Sequence, residues 1–199
     1  MKRLIIIGAS GHGKVVADIA VLNGYTDIVF LDDHTAVEAC AGFPVIGTSL
    51  HAPEGDIFIA IGNAAVRKRL AEQYRDRRQP VLIHPNAVVA KDVEIGPGTV
   101  VMAGTVINPG ATVGRGCIVN TCSSVDHDCT VSDYVHIAVG AHLCGTVTVG
   151  ENTWIGAGAV ISNNIRICKD CMIGAGAVVV KDISVSGKYL GVPATLKKE

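Results

Sequence analysis

Every sixth residue from Ile83 to Val179 is Ile, Val or Leu, and the series runs without interruption. Four places after most of these positions stands a small residue, among them Thr99, Ala111, Cys117, Ser123, Cys129, Ala141 and Ala159. A fixed hexad of this kind is the mark of a parallel β-helix, in which each repeat supplies one flat face. Three hexads close a triangular coil of about eighteen residues, and coils stack at roughly the 4.8 Å spacing of paired strands. Residues eighteen apart therefore lie above one another, and the sequence itself measures distance along the helix. The period predicts about five and a half coils from Ile83 to Val185. A terminal segment of another kind, Ser186 to Ala194, follows.

Residues 1–80 keep a different rhythm. Leu4-Ile5-Ile6-Ile7 reads as a short buried strand. Val15, Val16, Ile19, Ala20 and Leu22 then recur at helical spacing up to the Asn23-Gly24 stop. Ile28 to Leu31 and Ile57 to Ile61 predict two further strands, and Ala64 to Arg78 a charged helix. Strands alternating with helices predict a small parallel sheet, half of a Rossmann fold. The fold class expected is thus an α/β N-terminal domain over 1–80 and a β-helix over 81–199.

Composition narrows the function. Hydrophobic residues make up 49% of the 199 but aromatics only 4%, as a narrow coil filled by Val, Ile and Ala requires. A formal net charge of −1 without charge runs argues against nucleic acid or an anionic membrane as partner. Lys2 and Arg3 precede only a short apolar run, too brief for an export signal, and no stretch approaches a membrane span. A cytoplasmic address is expected. The seven cysteines suggest no disulfide framework. Cys168-Lys169-Asp170-Cys171 is formally a CxxC, but the hexad register is expected to turn its two thiols apart.

Two regions carry candidate chemistry. Gly8-Ala9-Ser10-Gly11-His12-Gly13 joins the first strand to the first helix, where amide N–H groups and the helix end attract phosphate. Its order, GxxGxG, differs from the dinucleotide GxGxxG and suits a mononucleotide better. Ser10, Gly11, His12 and Gly13 are the expected contacts, with Asp32 and Asp33 at the next strand end for ribose or base. Gly62, Asn63 and Arg67 follow the third strand as further substrate contacts. In the β-helix, His127 lies between Asp126 and Asp128, carboxylates that would fix its tautomer and raise its basicity. Gly145 is eighteen residues on, so its bare amide is placed above the imidazole as an oxyanion donor. Gly156-Ala157-Gly158-Ala159 and Gly174-Ala175-Gly176-Ala177, also eighteen apart, predict a smooth corner for the pantetheine arm of coenzyme A. Its phosphates would meet Lys169, Lys181 or Lys188, and His136 and His142 share one hexad register.

These pieces, with Asn120-Thr121, Ser123-Ser124-Val125-Asp126-His127-Asp128-Cys129 and the closing Gly191-Val192-Pro193-Ala194, resemble a known family. The chain resembles the bacterial sugar acyltransferases of the left-handed β-helix class, NeuD-like branch. Within it, the N-acetyltransferases of UDP-4-amino-sugars are most similar. The resemblance implies a homotrimer whose N-terminal domains bind a UDP-sugar and whose helices bind acetyl-CoA between subunits, with no metal. It casts His127 as general base, supported by Asp128 or Asp126, with His136 and the Gly145 amide facing the thioester. Gly156, Ala157, Gly174 and Ala175 are the cofactor contacts it implies. Rival readings are O-acetylation of a sugar hydroxyl, as on sialic acid, and a zinc hydratase built on His127, His136 and His142. A non-catalytic nucleotide-sugar binder is the third.

Overall fold

The computed structural model describes residues 2–34 and 36–197 and divides the chain into two units, 1–84 and 85–199. The division falls four residues beyond the expected boundary at 80.

In the first unit, β1 (Arg3–Ile7) lies between β2 (Asp27–Leu31) and β5 (Asp56–Ile59), all parallel. Ile5 pairs with Val29 on one side and Ile57 on the other. A strand covered on both faces needs a continuous apolar run, and Leu4, Ile5 and Ile6 are fully buried. The helix α1 (Gly11–Leu22) buries Val16, Ala17, Ile19 and Ala20, while Val15 and Leu22 stay exposed. Between β2 and β5 runs a short hairpin of β3 (Ala39–Cys40) and β4 (Phe43–Pro44).

The second helix, α2 (Ala64–Gln73), stops short of the expected Arg78. Its would-be last turn is taken up elsewhere. Tyr74 Oη donates to the Ser49 carbonyl at 2.7 Å, and Arg77 donates to the carbonyls of Pro53 and Gly55 at 2.7 and 2.6 Å. Three tertiary hydrogen bonds outweigh one more turn of helix.

The second unit is a parallel β-helix with strict eighteen-residue registry: Ile107 pairs with Val125 and Val125 with Leu143. Two-residue strands form three flat faces, and the hexad Ile, Val and Leu residues point inward, with Val119, Val125, Ile137, Val149, Ile155 and Ile161 at zero exposure. The small register is buried beside them, and its polar members are satisfied across coils. Thr99 Oγ1 donates to Gly114 O at 2.8 Å, Thr105 Oγ1 to Asn120 O at 3.0 Å, and Cys129 Sγ to Cys144 O at 3.1 Å. From Gly98 to Gly176 every sixth residue is left-handed, with φ between 55° and 75°. Glycine takes half of these corner sites, but Cys122, Tyr134 and Thr146 hold them too, so stacking enforces the turn where propensity would not.

The closing segment continues the stack. Gly187–Leu190 pairs in parallel with Cys171–Ile173 and folds back on Thr195–Leu196. One sequence expectation fails here. Cys168 and Cys171 are not turned apart: left-handed Asp170 (φ 57°) tightens the corner and brings their sulfurs to 3.5 Å.

Candidate active site

The prism has three edges, and the candidate base and the bare glycine–alanine strip fall on two of them. The first edge carries His127, with Gly145 one coil above. His127 Nδ1 lies 2.8 Å from Asp128 Oδ2, while Asp126 Oδ1 accepts from the His127 backbone N–H at 2.8 Å. A carboxylate only accepts, so Nδ1 carries the proton and Nε2 keeps its lone pair. Asp128 is thus the pairing carboxylate and Asp126 the brace, held in turn by Asn108 Nδ2 at 2.7 Å. The left-handed backbone of Asp128 (φ 59°) belongs to the corner series, which fixes where its carboxylate points. The Asp128 hydrogen bond, then the Asp126 charge, raise the pKa of His127 above its usual value. The hydrogen bonds from Asn108 and the His127 amide hold Asp126 below the usual carboxylate range.

Nε2 faces Gly145. A Cβ built on Gly145 would lie 2.5 Å from that nitrogen, so only glycine leaves the imidazole in place. Among the described residues the Gly145 amide has no acceptor, whereas the next amide, Thr146 N, is bonded to His127 O at 2.9 Å. A lone-pair nitrogen and an unused N–H at one edge are what proton removal and oxyanion stabilisation require.

The second edge holds the bare strip. Gly156 and Gly174 belong to the stacking itself: a Cβ on Gly156 would lie 2.6 Å from Ala175 N, and one on Gly174 would strike Leu190. Ala157, Gly158, Ala175 and Gly176 form the exposed ridge. Gly158 N and Gly176 N bond to the coil below, but the amides of Ala157 and Ala175 have no acceptor among the described residues. Val139, half exposed, ends the strip below. Lys169, Lys181 and Lys188 are exposed in the C-terminal coils, Lys169 on the third edge between Cys168 and Cys171 and Lys188 in the strand paired with Cys171–Ile173.

His136 is nine residues from His127, half a coil, and sits on another face. Its Nε2 lies 3.2 Å from Asn120 Nδ2, and its ring stacks on Trp154 with centroids 6.1 Å apart. His142 Nδ1 meets Ser124 Oγ at 2.8 Å on the face between the two edges. One chain therefore does not gather His127, His136 and His142, and no group of three metal-ligating side chains occurs among the described residues. Asn108 and Trp154 are absent from the sequence expectations, and Ser124 enters them only as part of the family motif. Each stands eighteen residues from Asp126, His136 or His142, so the coil period could have found them.

In the first unit the glycine loop is held tightly. Gly8 (φ 111°) and Gly13 abut the backbone, at Ala60 O and Gly8 O respectively, where a Cβ has no room. Asp32 accepts from Ala9 N at 2.6 Å and His34 N at 2.8 Å, and Asp33 from Ser49 N and Oγ at 2.8 and 2.9 Å. The Ser49 hydrogen bonds keep the Asp33 carboxyl below its ordinary range. Asn63 caps α2 by accepting from Val66 N at 3.1 Å. Arg67 is 1% exposed and donates to the carbonyls of Ile61 and Gly62 at 2.8 and 3.0 Å, so its guanidinium shapes the loop from inside. Ser10 offers α1 no side-chain cap, which leaves the first helical amides, from Gly11 to Gly13, for an anion. His12 is largely buried, its Nε2 has no partner among the described residues, and burial with the Arg67 charge pushes its pKa down to about 4.

Residues 3–74 match the family described as PglD N-terminal domain, and residues 79–109 and 146–181 match the bacterial transferase hexapeptide (six repeats). The acetyltransferase domain of PglB from Neisseria gonorrhoeae is 43% identical, with a TM-score of 0.96 over 99% of this chain and 100% of that one. That domain has also been solved with acetyl coenzyme A, at 44% identity, a TM-score of 0.94 and 98% and 99% coverage. Perosamine N-acetyltransferase of Caulobacter crescentus, a histidine-to-asparagine variant with CoA and GDP-perosamine, is 35% identical. Its TM-score is 0.95 over 100% of this chain and 98% of that one. UDP-N-acetylbacillosamine N-acetyltransferase of Bacillus subtilis is 37% identical over 106 residues, 48% of this chain and 49% of that protein. The match thus spans about half the length of that curated relative.

Proposed function

The chain belongs to the hexapeptide-repeat acetyltransferases that carry a PglD-type N-terminal domain, and from that premise we propose its reaction. It transfers the acetyl group of acetyl-CoA to the amine of a nucleotide-linked 4-amino-dideoxy sugar. The observation that carries this reading is the His127 edge: Asp128 on Nδ1, a free Nε2, and the unused Gly145 amide. His127 Nε2 removes a proton from the attacking amine, and the Gly145 N–H stabilises the oxyanion of the tetrahedral intermediate. The CoA thiolate then leaves, with no covalent acyl-enzyme.

The exposed amides of Ala157 and Ala175 support a resting place for pantetheine, and the open start of α1 supports a diphosphate beside Ser10, Gly11 and His12. The related perosamine N-acetyltransferase was solved with GDP-perosamine and the Bacillus subtilis relative is named for UDP-N-acetylbacillosamine, and a UDP-sugar is our assignment. The base and the bare strip occupy different edges of one prism. That separation favours an active site completed by a second copy, and we assign a homotrimer. No described helix is long and apolar enough to cross a membrane, and a cytoplasmic address is our assignment.

The test is thiol release from acetyl-CoA with a panel of UDP-, GDP- and dTDP-linked 4-amino sugars. We expect turnover with one nucleotide amino sugar, reduced about 10²–10⁴-fold in His127→Ala with both ligands still bound. A loss below about tenfold removes His127 as the base. Silence with every amine but turnover with sialic acids would replace N-acetylation by O-acetylation.

A further inference from the structure

The third edge of the prism carries chemistry that the acetyl transfer leaves unused. At its last corner Cys168 Sγ and Cys171 Sγ are 3.5 Å apart, one thiol donating to the other. The corresponding corner one coil below has Gly150 and Thr153, and the one below that Ser132 and Val135, so the pair exists only here. The two thiols are unequal. Cys168 is partly exposed, whereas Cys171 is buried, its Sγ near the carbonyls of Lys169 and Val185. The closing segment lies directly above. Cys168 N bonds to Ile183 O at 2.8 Å, Ser186 Oγ donates to Lys169 O at 3.0 Å, and Cys171 pairs with Gly187.

We propose that Cys168 and Cys171 are a reversible dithiol–disulfide site, oxidised by a low-molecular-weight disulfide. The sulfurs already touch across a three-residue step, 3.5 Å apart, and have little further to close to the roughly 2.05 Å of a disulfide. Cys168, the accessible sulfur, attacks the disulfide as thiolate, forms a mixed disulfide and releases one small thiol. Cys171 then loses its proton and attacks Cys168 Sγ, which expels the second small thiol. Two protein thiols and one disulfide thus become one protein disulfide and two small thiols. Burial and the neighbouring Cys168 push the Cys171 pKa up to about 12, so Cys171 is not the thiol that attacks first.

The experiment treats the whole protein with glutathione disulfide, alkylates the remaining thiols and maps peptides by mass. Exposed Cys122 serves as the internal measure of reaction. We expect a Cys168–Cys171 link, reversed by dithiothreitol, and glutathione trapped on Cys168 in Cys171→Ser. The proposal is overturned if both thiols stay free when Cys122 is converted. It is equally overturned if wild-type Cys168 retains glutathione without forming the link. Because the wild-type protein supplies the decisive result, a poorly folding variant does not blunt the test.

Discussion

In the first unit His12 is largely buried beside Arg67 and stays neutral down to a pH of about 4, whereas in the β-helix His127 is exposed between two carboxylates that raise its basicity. The same side chain is held uncharged in one place and becomes a proton acceptor in the other. Burial decides the first, through the cost of desolvating a cation, and hydrogen-bonded charge decides the second. The units differ in the same way throughout. The loops of the α/β unit spend Asp32, Asp33, Asn63 and Arg67 on holding backbone, while the helix presents its polar side chains on edges already fixed by stacking.

The sharpest way to break this contrast is to crowd the exposed base. Gly145→Ala places a methyl group 2.5 Å from His127 Nε2, which must swing away while the coil keeps its shape. We expect turnover to fall about 10²-fold, with the circular dichroism spectrum unchanged. Retained activity would mean that Nε2 does not work from that position.

Asp128→Asn has a smaller effect. Asparagine accepts the left-handed corner, so the backbone is kept and only the charge is lost. His127 must be unprotonated to act, and its raised pKa sets the acid limb of the pH–rate profile. Without Asp128 that pKa drops, the limb moves to lower pH, and the plateau falls about tenfold as the base weakens. A limb that does not move would assign it to another group.

The smallest effect belongs to His12. Its folded pKa lies below the unfolded value of 6.5, so the unfolded chain binds more protons between 6.5 and about 4. The stability it lends is present above pH 6.5 and is lost progressively as pH falls through that window. Between about pH 7.5 and pH 6, wild type should lose less than about 1 kcal/mol relative to His12→Gln. Hydrogen exchange of the Leu4–Ile7 amides reads this in the first unit alone. A rise in relative stability on acidification would show that His12 is charged in the fold.

The amino-acid order by itself determined the β-helix, because a sixfold period of branched residues leaves only one way to bury every repeat. It also determined that Gly145 stands over His127 and that Asp126 and Asp128 flank it, since the coil converts sequence distance into height. It separated the α/β domain by its change of rhythm and found the glycine loop. Only the tertiary structure decided which carboxylate pairs with Nδ1, because the choice depends on the left-handed corner at Asp128 and on Asn108 one coil below. The same is true of the α2 end, where long-range bonds to Ser49, Pro53 and Gly55 compete with helix. It holds for Arg67, whose charge is buried against loop carbonyls, and for Cys168 and Cys171, joined by one tight turn. Periodic pattern encodes position, but which groups pair depends on where the local backbone aims each side chain and on contacts made in three dimensions.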